Sequence, residues 1–163
     1  MADEEASVRD LLNELGLGAD PVAIDDDGLL WLAPACDDWA PIVQQHALSA
    51  VIDLEAGLDA GIPAHPDQVI YVYFPFKDED VPTLHKLHAV ARLGAALIQG
   101  GERVLVHCQM GLNRSALVAG LVLVYSGMSG EAAVSRLQQR RPGALYNEVF
   151  ANYLREQSPG GGA

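Results

Sequence analysis

The sequence predicts an α/β fold with a central, mostly parallel sheet flanked by helices, in a single domain. Two observations carry this expectation. Short apolar runs of strand type alternate with longer stretches of helical periodicity, the pattern of βα units around a parallel sheet. One of those runs, Val104-Leu105-Val106, is wholly apolar and bounded by Gly-rich sequence, as a central strand buried on both faces requires. Size agrees, because 163 residues fit one domain of ~100–200 residues. Half of the residues are apolar, enough for a core and too many for a disordered chain. The domain is expected to span residues 1–157, with its core at about 28–157 and a disordered tail at 158–163.

Each element has a local reason. Ser7 stands where it can cap a first helix through Leu11, Leu12 and Leu15, which ends near Gly16 and Gly18. Asp25-Asp26-Asp27-Gly28 reads as a turn into an apolar strand at residues 29–32. A short helix over 39–47 leads to a buried strand at 50–54, and a loop over 57–66 precedes a β-branched and aromatic strand at 69–74. Pro82 suits a first helical position, and Leu84, Leu87, Ala91, Ala95 and Ile98 follow at helical spacing. After the strand at 104–106 and a loop at 108–113, an apolar helix runs to about Tyr125, with two more helices near 131–140 and 145–156.

Charge narrows the function classes. The net charge is −12, yet residues 1–80 hold 18 of the 22 acids and only two bases, Arg9 and Lys77. Residues 81–163 carry +4, so an anionic substrate belongs there. An acidic chain is a poor general binder of nucleic acid or of anionic membrane. No apolar run approaches the ~18–20 residues of a membrane helix. The acidic start lacks the basic and apolar regions of a secretory signal. Two cysteines, Cys36 and Cys108, cannot make a disulfide framework, which points to a reducing cytoplasm.

The chemistry concentrates in Val104-Leu105-Val106-His107-Cys108-Gln109-Met110-Gly111-Leu112-Asn113-Arg114-Ser115. This is a strand, a cysteine, five intervening residues and an arginine that opens a helix. The backbone N–H groups of such a loop, Gln109 to Arg114, form an anion cradle at a helix N-terminus. Gly111 allows the turn where a side chain would obstruct it. Arg114 offers a planar fork to two phosphate oxygens. The same positive field favours a thiolate nucleophile at Cys108. Ser115 stands ready to hydrogen-bond the sulfur as it leaves, and His107 is expected to orient the loop through backbone hydrogen bonds. A Cys and an Arg six positions apart also occur by chance, and a buried free Cys is often only a small apolar residue. The strand before, the glycine within and the helix after supply the context that chance does not.

His107-Cys108-x5-Arg114-Ser115 resembles the active-site motif of the dual-specificity branch of the protein tyrosine phosphatase superfamily. Arg140-Arg141-Pro142, Asn147 and Phe150 resemble the stretch that follows that loop in the family, and the order of elements agrees from about residue 28 to 157. Tyr153 departs from the pattern, since many relatives carry Gln near that end. The resemblance implies a protein tyrosine phosphatase-like fold and a metal-free hydrolysis of phosphate monoesters through a phosphocysteine intermediate, with no cofactor. It also implies a general acid about thirty residues before the cysteine. Asp78 lies at that distance within Phe74-Pro75-Phe76-Lys77-Asp78-Glu79-Asp80; Asp80 is the rival and Glu79 the third choice, with Asp80 also placed to cap the next helix.

The substrates so implied are phosphotyrosine and, secondarily, phosphoserine or phosphothreonine, in a protein or a small phosphomonoester. Alternatives are an RNA 5′-triphosphatase, suggested by Gly111-Leu112-Asn113-Arg114, a phosphoinositide phosphatase, or a non-catalytic phosphate-binding relative. The retained acid and the acidic surface speak against the first. The uncharged Gln109, Met110, Leu112 and Asn113 speak against the second, and the retained Cys108 and Arg114 against the third. His85-x-x-His88 lacks further zinc ligands and reads as surface or packing histidines. Glu55 or Asp53 is a candidate partner for Arg114. Arg140 and Arg141 either border the pocket or solvate a helix end, Cys36 reads as structural, and Trp31 and Trp39 read as core.

Overall fold

The computed structural model describes residues 7–161. The acidic start and the last two residues of the expected tail lie outside them. The elements run α1 Val8–Glu14, β1 Val22–Ala23, β2 Leu30–Ala33, α2 Ala40–Gln45, β3 Ala50–Asp53, β4 Ile70–Tyr73, α3 Leu84–Gln99, β5 Val104–His107, α4 Arg114–Tyr125, α5 Gly130–Arg140 and α6 Glu148–Arg155. The sheet order is β1-β2-β5-β3-β4, parallel except for β1 against β2. β5 is central because all four of its residues are buried, as a strand covered on both faces must be.

Alternation along the strands sorts the two layers. Leu30, Leu32, Ala50, Ile52, Val104 and Val106 face one side, where α4 and its neighbours pack. Ala33, Val51 and Leu105 face the other, with Trp39 and Val43 of the α2 region. Every residue of α4 from Ser115 to Val124 is buried, so this helix is apolar all round and forms the spine of the domain. Removing a side chain such as the fully buried Leu121 costs about 2–5 kcal/mol in sites of this kind.

Several boundaries differ from expectation, each for a local reason. β1 is only two residues long, too short to leave a periodic signal. Pro82 stays outside α3, which begins after Thr83. The last helix starts at Glu148 rather than near Leu145, because Leu145 adopts φ 61° and its N–H turns to Leu112 O at 2.8 Å. Asn147 then caps α6, its Oδ1 accepting from the N–H groups of Val149 and Phe150. Of the tail expected to be disordered, Pro159–Gly161 form a short 3-10 turn.

Candidate active site

The register sets His107 beside Ala33 on β2 and Asp53 on β3, so the site opens at the carboxyl ends of the parallel strands, where open α/β sheets bind ligands. From there the chain makes the loop 108–113 and enters α4. Gly111 is required: its φ is +68°, and a Cβ would lie 2.7 Å from the Ala33 carbonyl carbon and the Pro34 nitrogen. Gln109 O accepts from Ala35 N at 2.9 Å, which ties the loop to the end of β2. Among the described residues no side chain caps α4, since Asn113 at its N-cap is turned elsewhere. Its first N–H groups therefore stay free for an anion.

Cys108 is buried at the base of this loop. Its Sγ lies 3.3 Å from Ser115 Oγ, and with a thiolate the hydroxyl is the donor. Arg114 is held from two sides, Nη1 donating to Phe76 O at 3.2 Å and Nη2 to Glu55 Oε2 at 3.2 Å. Its Nε is buried without a partner among the described residues. An unpaired buried donor is costly, which makes this edge of the guanidinium a candidate contact for an anion. Glu55, not Asp53, is therefore the carboxylate that steers the arginine.

Asp78 reaches the loop as well. Its two carboxylate oxygens accept separately from Asn113 Nδ2 and Asn147 Nδ2, both at 2.8 Å. Asn113 Oδ1 in turn accepts from Asn147 N at 3.0 Å. These bonds join the loop, α6 and the acidic segment. Asp80 makes no side-chain cap on α3, which corrects the expected capping role: the chain stays extended past Pro82 and only Thr83 precedes the helix. Of the six cradle residues, Leu112 is 4% exposed and Asn113 spends its side chain on Asp78, so both can meet an anion only through the backbone.

On the buried side of the loop, Asp59 and Tyr71, which the sequence did not assign, join His107 and Asp53. His107 Nε2–H donates to Asp59 Oδ2 at 2.6 Å and lies 3.4 Å from Asp53 Oδ1, while Nδ1 is 3.4 Å from Cys108 O. The expected backbone contact is thus the weaker one, and Asp59 is the main support. Burial raises the Asp53 carboxyl above its ordinary range, opposed by the Tyr71 hydroxyl and by His107. Asp53, Asp59 and His107 are close enough to converge on a cation, but Tyr71 donates to Asp53, Glu55 N donates to Asp53 at 2.9 Å, and His107 takes Asp59. These atoms already satisfy one another as a hydrogen-bond network.

The two arginines at the end of α5 part company. Arg140 is exposed and pairs with Asp26 at 2.8 Å, whereas Arg141 is buried and bonded to the loop backbone. His88 is a packing histidine between the hydroxyls of Tyr125 and Tyr153, which accounts for the departure at Tyr153. Trp39 is fully buried over the His107 ring, at 4.3 Å between centroids, while Trp31 is half-buried. Burial, aided by neighbouring carboxylates, pushes the half-buried Cys36 thiol up to about 11, so Cys36 is no rival nucleophile at neutral pH.

The dual specificity phosphatase catalytic domain model matches residues 30–158. The chain belongs to that family. Its relatives include protein tyrosine phosphatase type IVA 3 of Mus musculus, 32% identical over 99 residues, which is 60% of this chain and 57% of that protein. The chain thus matches little more than half the length of that curated relative. The solved structure of Tk-PTP in its active form superposes with a TM-score of 0.67 at 25% identity, covering 84% of this chain and 97% of the other. A mouse putative dual specificity phosphatase complexed with zinc tungstate shares the fold, with a TM-score of 0.69 at 20% identity over 85% and 86% of the two chains. The family match begins within β2, so α1 and β1 precede it. No helix among the described residues is long and apolar enough to cross a membrane.

Proposed function

We propose that this chain is a cysteine-dependent protein phosphatase that hydrolyses phosphotyrosine, with phosphoserine and phosphothreonine as secondary substrates. The observation that carries the reading is one constellation: Cys108 Sγ 3.3 Å from Ser115 Oγ, at the uncapped N-terminus of α4 that Arg114 opens, with the buried Arg114 Nε left unpaired. Asp78, tethered to the loop through Asn113, supplies the proton.

In the first step the Cys108 thiolate attacks phosphorus in line and the P–O bond to the leaving group breaks. Protonated Asp78 gives its proton to that oxygen. Loop N–H groups and the Arg114 fork hold the three remaining oxygens. In the second step a water attacks the phosphocysteine and loses its proton to the Asp78 carboxylate. The S–P bond breaks, and Ser115 donates a hydrogen bond to the departing thiolate. Phosphate and the starting enzyme result. A nucleophilic thiol must stay reduced, so we assign the activity to a reducing compartment such as the cytoplasm.

The test compares turnover of a phosphotyrosine peptide, a phosphothreonine peptide, a phosphoinositide and a 5′-triphosphate RNA. The phosphotyrosine peptide is expected to lead. A clear preference for the RNA or the phosphoinositide would overturn the substrate assignment.

A further inference from the structure

The segment that precedes the family match reaches the active-site loop through one buried side chain. Arg141 is 3% exposed. Its Nε donates to Gly111 O at 3.2 Å, Nη2 to Met110 O at 2.9 Å, and Nη1 to Gly18 O. Gly18 lies in the connection between α1 and β1. That connection is anchored, because Leu17 N donates to Leu12 O at 2.7 Å and Leu12 is fully buried.

Two physical consequences follow. In a trans peptide the C=O and N–H point in opposite directions, and the described chain has no cis peptide. Drawing the Met110 and Gly111 carbonyls towards Arg141 therefore turns the N–H groups of Gly111 and Leu112 the other way, into the cradle. The second consequence is electrostatic. Among the described residues no carboxylate pairs with Arg141. A buried cation is costly unless paired, and three neutral carbonyls accept from three of its five N–H groups without cancelling its charge. Burial depresses the Arg141 pKa, with Cys108 acting in the opposite direction.

We propose that Arg141 is a positioning residue that fixes the oxyanion-binding N–H groups of Gly111 and Leu112 and makes the α1–β1 connection part of the active site. The inference rests on the loop's role as a phosphate cradle.

The experiment measures inorganic phosphate affinity by calorimetry in a Cys108→Ser background, with Arg141→Met and Arg141→Lys, alongside Tm. Arg141→Met is expected to weaken phosphate binding by tenfold or more. Arg141→Lys, which keeps the charge and can reach one carbonyl, should fall between Met and wild type. Folded variants with lowered Tm but unchanged phosphate affinity would overturn the proposal, since a role in stability alone predicts that pattern. Wild-type hydrogen exchange with and without orthovanadate tests it without any variant. By linkage, the oxyanion should slow exchange at residues 12–20 as well as at 108–114. Protection of the loop with none at 12–20 contradicts the proposal even if both variants fail to fold. Absence of any oxyanion binding by the wild type would sink the phosphatase reading itself, and this inference with it.

Discussion

The two sides of the loop 108–113 are built from opposite kinds of hydrogen bonding. On the open side stand Arg114, which keeps a buried Nε unpaired, and Asp78, which is exposed and held only by the amides of Asn113 and Asn147. On the buried side, His107 is committed to Asp59, and Arg141 to three carbonyls. On the proposed reading, groups that meet a substrate retain bonding capacity, and groups that hold geometry spend theirs on the protein. Both sides contain one arginine, but among the described residues only Arg114 has a carboxylate partner. That partner lets the front arginine be aimed, while the rear one contributes charge and shape together.

The comparison breaks most visibly at Arg114. Arg114→Lys keeps the charge and loses the planar fork, so kcat/KM should fall by orders of magnitude; a variant near wild type means that the open edge of this arginine does not hold the phosphate. Asp78→Asn comes next. For an unactivated phosphate ester the loss should be roughly 10²–10⁴-fold, and smaller for p-nitrophenyl phosphate, whose leaving group needs less help from a proton. Asp80→Asn has no helix cap to lose and should change stability by less than about 0.5 kcal/mol. A leaving-group dependence that flattens in Asp80→Asn instead of Asp78→Asn moves the acid by two residues.

On the buried side, Asp59→Asn should slow turnover by roughly tenfold, the kinetic equivalent of about one hydrogen bond. The factor should be the same for activated and unactivated esters, because Asp59 acts through His107 and never meets the leaving group. A strongly ester-dependent loss would erase the distinction between the two sides. The smallest effect lies away from the site. Burial, with Arg92 nearby, lowers the His88 pKa below 6.5, so the unfolded chain takes up the proton first as pH falls. Stability present above about 6.5 is then lost on acidification through the lowered folded value. His88→Gln should flatten that part of the Tm-versus-pH curve, and an unchanged slope would assign the dependence elsewhere.

What could be read in the sequence follows the range of the interaction. The strand, loop and helix around Cys108 were legible because each signal is local: an apolar run, a glycine with φ +68° and an arginine six positions on. Ser115 was expected near the sulfur from the motif, and an acid near the loop from the family resemblance, and the Ser115 and Asp78 side chains do reach that loop. Arg141 was visible as a residue but not as a contact, because its partners are backbone carbonyls, with Gly18 lying 123 residues away. Asp59 was missed for a related reason, since it sits in a loop 48 residues from His107 and only the fold brings the two together. The choice between Asp53 and Glu55 depended on the end of β3. There Asp53 lies beside His107 in register and turns back to accept from Glu55 N, leaving Glu55 for Arg114.

The central claim is that Cys108 carries the phosphoryl group between two steps, with Asp78 on the open side moving the proton. The most direct test is rapid acid quench of Asp78→Asn during turnover of an aryl phosphate, followed by peptide mass spectrometry. Slowing the water-dependent second step should let the intermediate accumulate, with one phosphate on the peptide containing Cys108 and none in Cys108→Ser, which should nevertheless bind phosphate and turn nothing over. A phosphate found on another residue, or appreciable turnover by pure Cys108→Ser, would contradict the account.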